Sequence, residues 1–289
     1  MNKKAPPPSC PISSQDLRRY LETQDDFALE LEAYRHAKGF GFQASHAGLY
    51  DDARTNKRRQ YDVRASYELP NQNQRIYLTI ECKSLHPINP LLIQRTPRSR
   101  DEAFHQIMQS SGSNQPATGT ASEPHGWRGP GLFRMYGTGL YDSQKQVGKS
   151  LNRVKVAGDG FSAGDSDIYE KYVQALASMD ELVQSAAEEL RPTRAVTWSR
   201  AFLPVLVVSD TALWIADYSA SGELTGDPRQ EDETTFYLGW DYKLYNSSDP
   251  IHPANFTISH LHIITRRRLP KFLEEIQQGG RIWYQLFGG

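Results

Sequence analysis

Two alternating segments separated by a turn constrain this chain more than any other feature. In "RQYDVRASYEL" Tyr61, Val63, Ala65 and Tyr67 fall on one face, with Asp62, Arg64 and Ser66 on the other. In "RIYLTIECKSL" Ile76, Leu78, Ile80 and Cys82 oppose Tyr77, Thr79, Glu81 and Lys83. Period two is the signature of a strand with unlike faces, and the intervening "PNQNQ" is rich in turn formers. A β-hairpin is predicted. The stretch before it, "SSQDLRRYLETQDDFALELEAYRHAKG", predicts two helices or one broken near Thr23 to Asp26, with Ser14 as N-cap and Gly39 as the stop.

Beyond the hairpin the patterns are looser. A helix is expected from Arg100 to Met108, another over "YDSQKQVGKSLNRV", and a long one over "DSDIYEKYVQALASMDELVQSAAEEL". In the last, Tyr172, Leu176, Met179, Leu182, Val183 and Leu190 form an apolar stripe, read as core. "AFLPVLVVSDTALWIADY" supplies a buried strand and a second short one, "TISHLHIITRRRL" another strand, and "PKFLEEIQQ" a helix with Pro270 at N1. Residues 1–13 are proline-rich and expected to be a disordered tail. Residues 14–289 then form a single domain, interrupted by a Gly/Ser/Pro-rich flexible insert around 109–131. Helix, hairpin, helices, central strands and helix make an α/β fold around a mixed central β-sheet flanked by helices.

Composition narrows the function classes. The 33 basic and 34 acidic side chains nearly cancel, so any nucleic-acid contact must come from local clusters. Two cysteines, Cys10 and Cys82, do not make a disulfide framework, and a reducing cytoplasm fits. The start "MNKKAPPPSCPISS" has no apolar core of a signal peptide, and no stretch approaches a membrane span, so a soluble cytoplasmic protein is expected. "GDGFSAGD" lacks the lysine of a phosphate-binding loop, which argues against nucleotide hydrolysis.

On the hairpin's polar face Asp62, Glu81 and Lys83 can converge. Two carboxylates there suit a hard divalent cation, and a lysine beside them can orient a water and stabilise charge on a phosphate. The helix before the hairpin adds a fourth group. At helical spacing Phe27, Leu31, Ala33, Tyr34 and Ala37 share one arc, and Glu30 falls within it while Glu32 lies outside. A carboxylate on a packed face is costly unless it is paired or bound to metal. The competing reading of Glu81 and Lys83 is an exposed cross-strand ion pair worth under ~1 kcal/mol.

Helix Glu30, then "QYD" with Asp62, eighteen intervening residues and "ECK" with Glu81 and Lys83 resembles the PD-(D/E)xK nuclease signature. The fuller run is similar to a group of uncharacterised bacterial nuclease-like proteins. The resemblance implies a restriction-endonuclease-like core in the order α-β-β-β-α-β and a metal-dependent phosphodiesterase. The activity it implies is a DNA endonuclease of restriction or anti-phage defence, with RNA left open as the alternative substrate. It implies Asp62 and Glu81 as ligands of Mg²⁺, with Mn²⁺ substituting, Lys83 at the nucleophilic water and Glu30 as support. Tyr61 stands where the family's motif has proline. Family members also carry glutamine or lysine on a later helix, which Gln144, Gln146 and Lys149 supply. A homodimer or a partner defence protein is compatible with this reading. The rival from another class is a non-catalytic module that binds nucleic acid or protein on the same fold.

Other motifs carry less. Lys57, Arg58 and Arg59, in a turn before Asp62, are candidates for phosphate contacts. Arg266 to Arg268 read as ordinary surface. His260 and His262 alternate along a strand and read as a satisfied strand surface rather than a metal site. Cys82 points inward and is not a reactive thiol.

Overall fold

The computed structural model describes residues 11–23, 25–70, 72–110, 119–122, 129–190, 197–246 and 249–288. Two helices lead the chain, α1 Ser14–Thr23 and α2 Asp26–Gly39, so the break falls where the sequence predicts it. The cap of α1 is Ser13 rather than Ser14: its Oγ accepts from the Asp16 backbone N–H at 3.1 Å. Short strands follow: β1 Gln43–His46, β2 Leu49–Asp52 and β3 Lys57–Gln60. Then comes the hairpin, β4 Val63–Leu69 and β5 Gln74–Lys83. The middle of the chain holds β6 Leu91–Pro97, β7 Phe104–Gln109, β8 Gly119–Ala121, β9 Gly131–Tyr136, β10 Gln146–Ala157 and β11 Gly160–Gly164. The long helix α3 Ser166–Glu189 leads to β12 Ser199–Val208, β13 Leu213–Asp217, β14 Arg229–Gln230, β15 Glu233–Asn246 and β16 Asp249–Thr265. Helices α4 Leu269–Gln277, with Pro270 in its first turn, and α5 Arg281–Phe287 close the chain.

This is an α/β architecture: a large mixed sheet with a few helices on its faces. Among the described residues the main path runs β1-β4-β5-β12-β16-β15-β10-β6-β13-β14, while β2 and β3 form a separate ribbon. β4 and β5 pair antiparallel with Val63 opposite Ile80, and β5 runs parallel to β12 with Lys83 opposite Val208. The alternation of β5 separates two cores. Ile76, Leu78, Ile80 and Cys82 pack with Leu29, Ala33 and Ala37 of α2 and with α4 and α5. Tyr77 packs on the other face with Leu176, Met179 and Val183 of α3. Both faces are therefore covered, and the hairpin's polar side is not a solvent face.

Two expected helices are strands. Over 100–108 only Arg100–Glu102 is helical, as one 3-10 turn capped by Ala103, and from Phe104 the chain is β7, every residue buried between β12 and β9. A short apolar run has no period that separates helix from strand, so its partners decide. "YDSQKQVGKSLNRV" is mostly β10, pinned between β6 and β15. Gly148 permits that approach: a Cβ there would stand 2.8 Å from both Ile93 Cγ2 and Phe236 Cδ2. Lys57 to Arg59 form strand β3 instead of a turn. Of the expected insert, the described part includes β8, which pairs with β9; residues 111–118 and 123–128 lie outside the described residues, as do 1–10 of the expected tail.

Candidate active site between the hairpin and two helices

Asp62 immediately precedes β4, and the register places it opposite Glu81. Each carboxylate accepts a hydrogen bond from the neighbouring strand. The Asp62 backbone N–H donates to Glu81 Oε1 at 3.2 Å, and the Cys82 backbone N–H donates to Asp62 Oδ2 at 2.8 Å. Glu81 is fully buried and Asp62 nearly so, which rules out an exposed cross-strand pair. The second Glu81 oxygen, Oε2, is buried with no hydrogen-bond partner.

The cation at these carboxylates is one that the hairpin pattern does not contain. Lys171 Nζ, from α3, donates to Asp62 Oδ2 at 2.8 Å and stands 3.6 Å from Glu81 Oε2. Burial pulls the Lys171 ammonium down, but Asp62 and Glu81 outweigh it and hold its pKa above the ordinary lysine value. Burial, then Asp62, pushes Glu81 well above the usual carboxylate range, with Lys171 opposing. Arg64 of β4 ties α3 in place, donating to Glu181 Oε2 at 2.7 Å and to the Ser178 carbonyl at 2.5 Å.

Glu30 approaches from α2, on the other side of the sheet. Burial and the neighbouring Asp62 carboxylate raise its pKa to about 7, with Lys171 opposing. His46 of β1, set between the rings of Phe27 and Tyr34, places Nε2 3.4 Å from Glu30 Oε2. Phe27 itself is exposed, against the arc assigned to it, while Leu29, Ala33 and Ala37 are buried. Glu32 points elsewhere and pairs with Arg266. Glu30, Asp62, Glu81 and Lys171 are thus brought together.

Lys83 stands slightly apart. Its Nζ donates to Asp26 Oδ2 at 3.0 Å, and the Ser84 backbone N–H donates to Asp26 Oδ1 at 2.5 Å. The first residue of α2 therefore clamps the end of β5. Among the described residues, Asp26 is the carboxylate within ion-pair distance of Lys83. Tyr50 of β2 closes the α3 side. Its hydroxyl is buried without a partner, and burial, then Glu81, pushes its pKa up to about 12. The same ribbon carries Lys57 and Arg58, both exposed, and Arg59, whose Nε lies 3.0 Å from Asp52 Oδ2.

The remaining candidates lie elsewhere. Gln146 and Lys149 are on β10, separated from β5 by β12, β16 and β15, and Lys149 pairs with Glu102. His260 and His262 are on a strand but buried rather than on a surface. His260 Nε2 accepts from Arg98 at 3.1 Å, and His262 Nε2 hydrogen-bonds Tyr141 at 2.8 Å. Arg266, Arg267 and Arg268 make ion pairs with Glu32, Asp232 and the pair Glu233 and Glu275. Cys82 is buried, and burial, then Asp62, keeps its thiol protonated.

No family model, curated protein or solved structure matches this chain. Among the described residues no helix is long and apolar enough to cross a membrane.

Lys171, Asp26, His46 and Tyr50 were missed by reasoning from the sequence. A signal for Lys171 was available: it follows Ile168 by three residues and precedes Ala175 by four, both fully buried. That is the same packed-face test that singles out Glu30.

Proposed function

We propose that this protein is a metal-dependent nuclease that hydrolyses phosphodiester bonds at the Asp62–Glu81 site, with DNA as its substrate. The observation that carries the reading is the convergence of Glu30, Asp62 and Glu81 around the single ammonium of Lys171, with Glu81 Oε2 left without a hydrogen bond. The chain order α2, β1, β4, β5, α3, β12 also follows the α-β-β-β-α-β order that the PD-(D/E)xK resemblance implies, with β2 and β3 inserted before β4 and β6 to β11 before α3.

Among the described residues no group of three or more His, Cys, Asp or Glu is arranged to hold a metal ion; the reading rests instead on the pair Asp62 and Glu81, whose carboxylates are linked through backbone N–H groups. Their chemistry fits a hard divalent ion. Both offer only oxygen, one of those oxygens is buried and unpartnered, and the carboxylates at the site outnumber its lysine. A divalent ion such as Mg²⁺ or Mn²⁺ would supply Lewis-acid chemistry to a phosphodiester. The protein's own groups do the rest. Backbone N–H groups fix Asp62 Oδ2 and Glu81 Oε1, so these carboxylates need no reorganisation. Lys171 offsets their repulsion and offers a positive charge where phosphate charge grows. Lys83, held at the strand end by Asp26, keeps the place beside the attacking water, and Glu30 supports that water from α2. Lys57 and Arg58 on the neighbouring ribbon are exposed, where they could meet the backbone of the nucleic acid. Restriction or anti-phage defence in the cytoplasm is the proposed setting.

The test is cleavage of plasmid, single-stranded DNA and RNA with Mg²⁺ or Mn²⁺ by wild type and by Asp62→Asn and Glu81→Ala. Cleavage that needs the cation and both carboxylates is the expected result. Equal cleavage by all three proteins would remove the mechanism, and no cleavage of any substrate would favour a binding module on the same fold.

A further inference from the structure

Away from the carboxylate site, a cavity of about 630 Å³ opens where β6, β10, β15 and β16 meet α4 and α5. Its wall is basic: Arg95, Arg98, Lys145, Arg268 and Arg281 line it, against Glu233 and Glu275. Most of these cations are already matched. Arg95 donates to both Asp217 oxygens at 2.7 and 3.0 Å, Arg268 pairs with Glu233 and Glu275, and Lys145 pairs with Asp142.

Arg98 is the exception. It is 3% exposed, yet among the described residues no carboxylate lies within ion-pair distance of its guanidinium. Its bonds go to neutral acceptors: His260 Nε2 at 3.1 Å, the Asp142 carbonyl at 2.8 Å and Thr235 Oγ1 at 2.8 Å. Those use three of the five guanidinium N–H groups. The backbone on either side is fixed, since the Arg98 N–H donates to the Lys145 carbonyl at 2.8 Å and its own carbonyl accepts from Gln144 at 3.0 Å. Asp142 and Glu102 act on Arg98 only from beyond ion-pair distance, and its guanidinium lies 5.5 Å from the Tyr141 ring centroid; a buried charge with no carboxylate in contact is costly unless something else completes it. Two further groups at this wall lack partners: Arg268 Nη1, a donor, and Gln146 Oε1, an acceptor, are both buried without a hydrogen bond. At the rim, Arg281 is exposed and has no carboxylate within ion-pair distance among the described residues. The rest of the wall includes the apolar side chains of Leu140, Phe272 and Ile282.

The geometry points to a binding site for a small phosphorylated ligand of nucleoside-monophosphate size, its phosphate between Arg98 and Arg281 and its ring against Phe272. The volume lies within the range of small-molecule sites and exceeds what a lone phosphate needs. A phosphate would supply the contacting anion that Arg98 lacks, through charge-assisted bonds to planar N–H donors. An amide acceptor and an apolar wall suit the edge and face of a base. Nothing in this assignment depends on the activity proposed for Asp62 and Glu81.

Isothermal titration of the full chain tests it, using the 5′-monophosphates of adenosine, guanosine, cytidine and uridine, the four nucleosides, and orthophosphate. At least one monophosphate is expected to bind with one-to-one stoichiometry, and its nucleoside about tenfold or more weakly. Arg98→Lys and the rim variant Arg281→Glu are each expected to weaken that monophosphate about tenfold, with circular dichroism unchanged. Glu81→Gln should bind as wild type does. The assignment is overturned if no monophosphate binds, if nucleoside and monophosphate bind alike, or if orthophosphate matches the nucleotides. It is equally overturned if Arg281→Glu leaves the affinity unchanged, a result that stands even where Arg98 variants fold poorly, or if Glu81→Gln abolishes binding.

Discussion

Lys171 Nζ lies 2.8 Å from Asp62 Oδ2, joining the packed face of α3 to the mouth of the β4–β5 hairpin. That contact makes two lysines, not one, relevant to the carboxylates, and their partners differ in burial. Lys171 faces Asp62 and a fully buried Glu81, whereas Lys83 meets a partly exposed Asp26.

The difference is measurable. Lys171→Met is expected to lower cleavage by about 100-fold and to destabilise the fold by on the order of 3 kcal/mol in urea unfolding, because it strands buried carboxylates. Lys83→Met should lower cleavage comparably but cost under ~1 kcal/mol, as a partly exposed pair does. A Lys83 variant that cleaves normally would leave Lys171 as the working cation.

Glu30 and Glu32 are two residues apart on α2 and have opposite surroundings. Glu30→Gln removes a group that burial and Asp62 hold near neutrality, and cleavage should fall by about tenfold or more. Glu32→Gln breaks the ion pair with Arg266 at the surface, so cleavage should persist and stability change by less than ~1 kcal/mol. Normal cleavage by Glu30→Gln with loss in Glu32→Gln would reverse the assignment of the helix face.

Arg64 reports on how α3 is seated. It bonds Glu181 and the Ser178 carbonyl, and its guanidinium lies 4.4 Å from the Tyr61 ring centroid. Arg64→Ala is expected to cost about 2 kcal/mol and to reduce cleavage without touching substrate, since Lys171 rides on the same helix. Added Mg²⁺ should not restore that cleavage; if it did, Arg64 would be acting at the cation.

What the sequence made legible follows from how local each signal is. The hairpin, the inward turn of Cys82 and the packed position of Glu30 rest on periods of two and 3.6, which need only a few neighbouring residues. β7 and β10 read as helices because their patterns are short, and partners far along the chain decide them: β12 and β9 for one, β6 and β15 for the other. Lys171 follows Asp62 by 109 residues, so no motif spacing announces the contact. Its place on the buried stripe of α3 was the available clue, and a lysine among Ile168, Ala175 and Met179 is as anomalous as a glutamate among Leu29, Ala33 and Ala37.

The buried histidines set a pH dependence whose sign can be worked out. Burial lowers the pKa of His105 to about 4, and its Nε2 lies 2.7 Å from the Leu286 carbonyl, so that nitrogen carries the proton of the neutral ring. His262 is likewise held at about 4, and His260 at about 2, by burial first and then by Arg98. With the folded values depressed below the ordinary 6.5, the unfolded chain binds more protons. Stability is then full above pH 6.5 and is lost as the pH falls from 6.5 toward 4. Glu30, raised to about 7, acts in the opposite sense over an overlapping range, so the total curve is not diagnostic. The difference between wild type and His105→Gln is, because Glu30 is common to both and glutamine can still donate to Leu286. Relative to its value at pH 7.5, the stability of wild type should fall behind that of His105→Gln by roughly 2 kcal/mol at pH 5. Urea midpoints measured across pH 5 to 7.5 check this, and parallel curves for the two proteins would mean that His105 is not held neutral in the folded state.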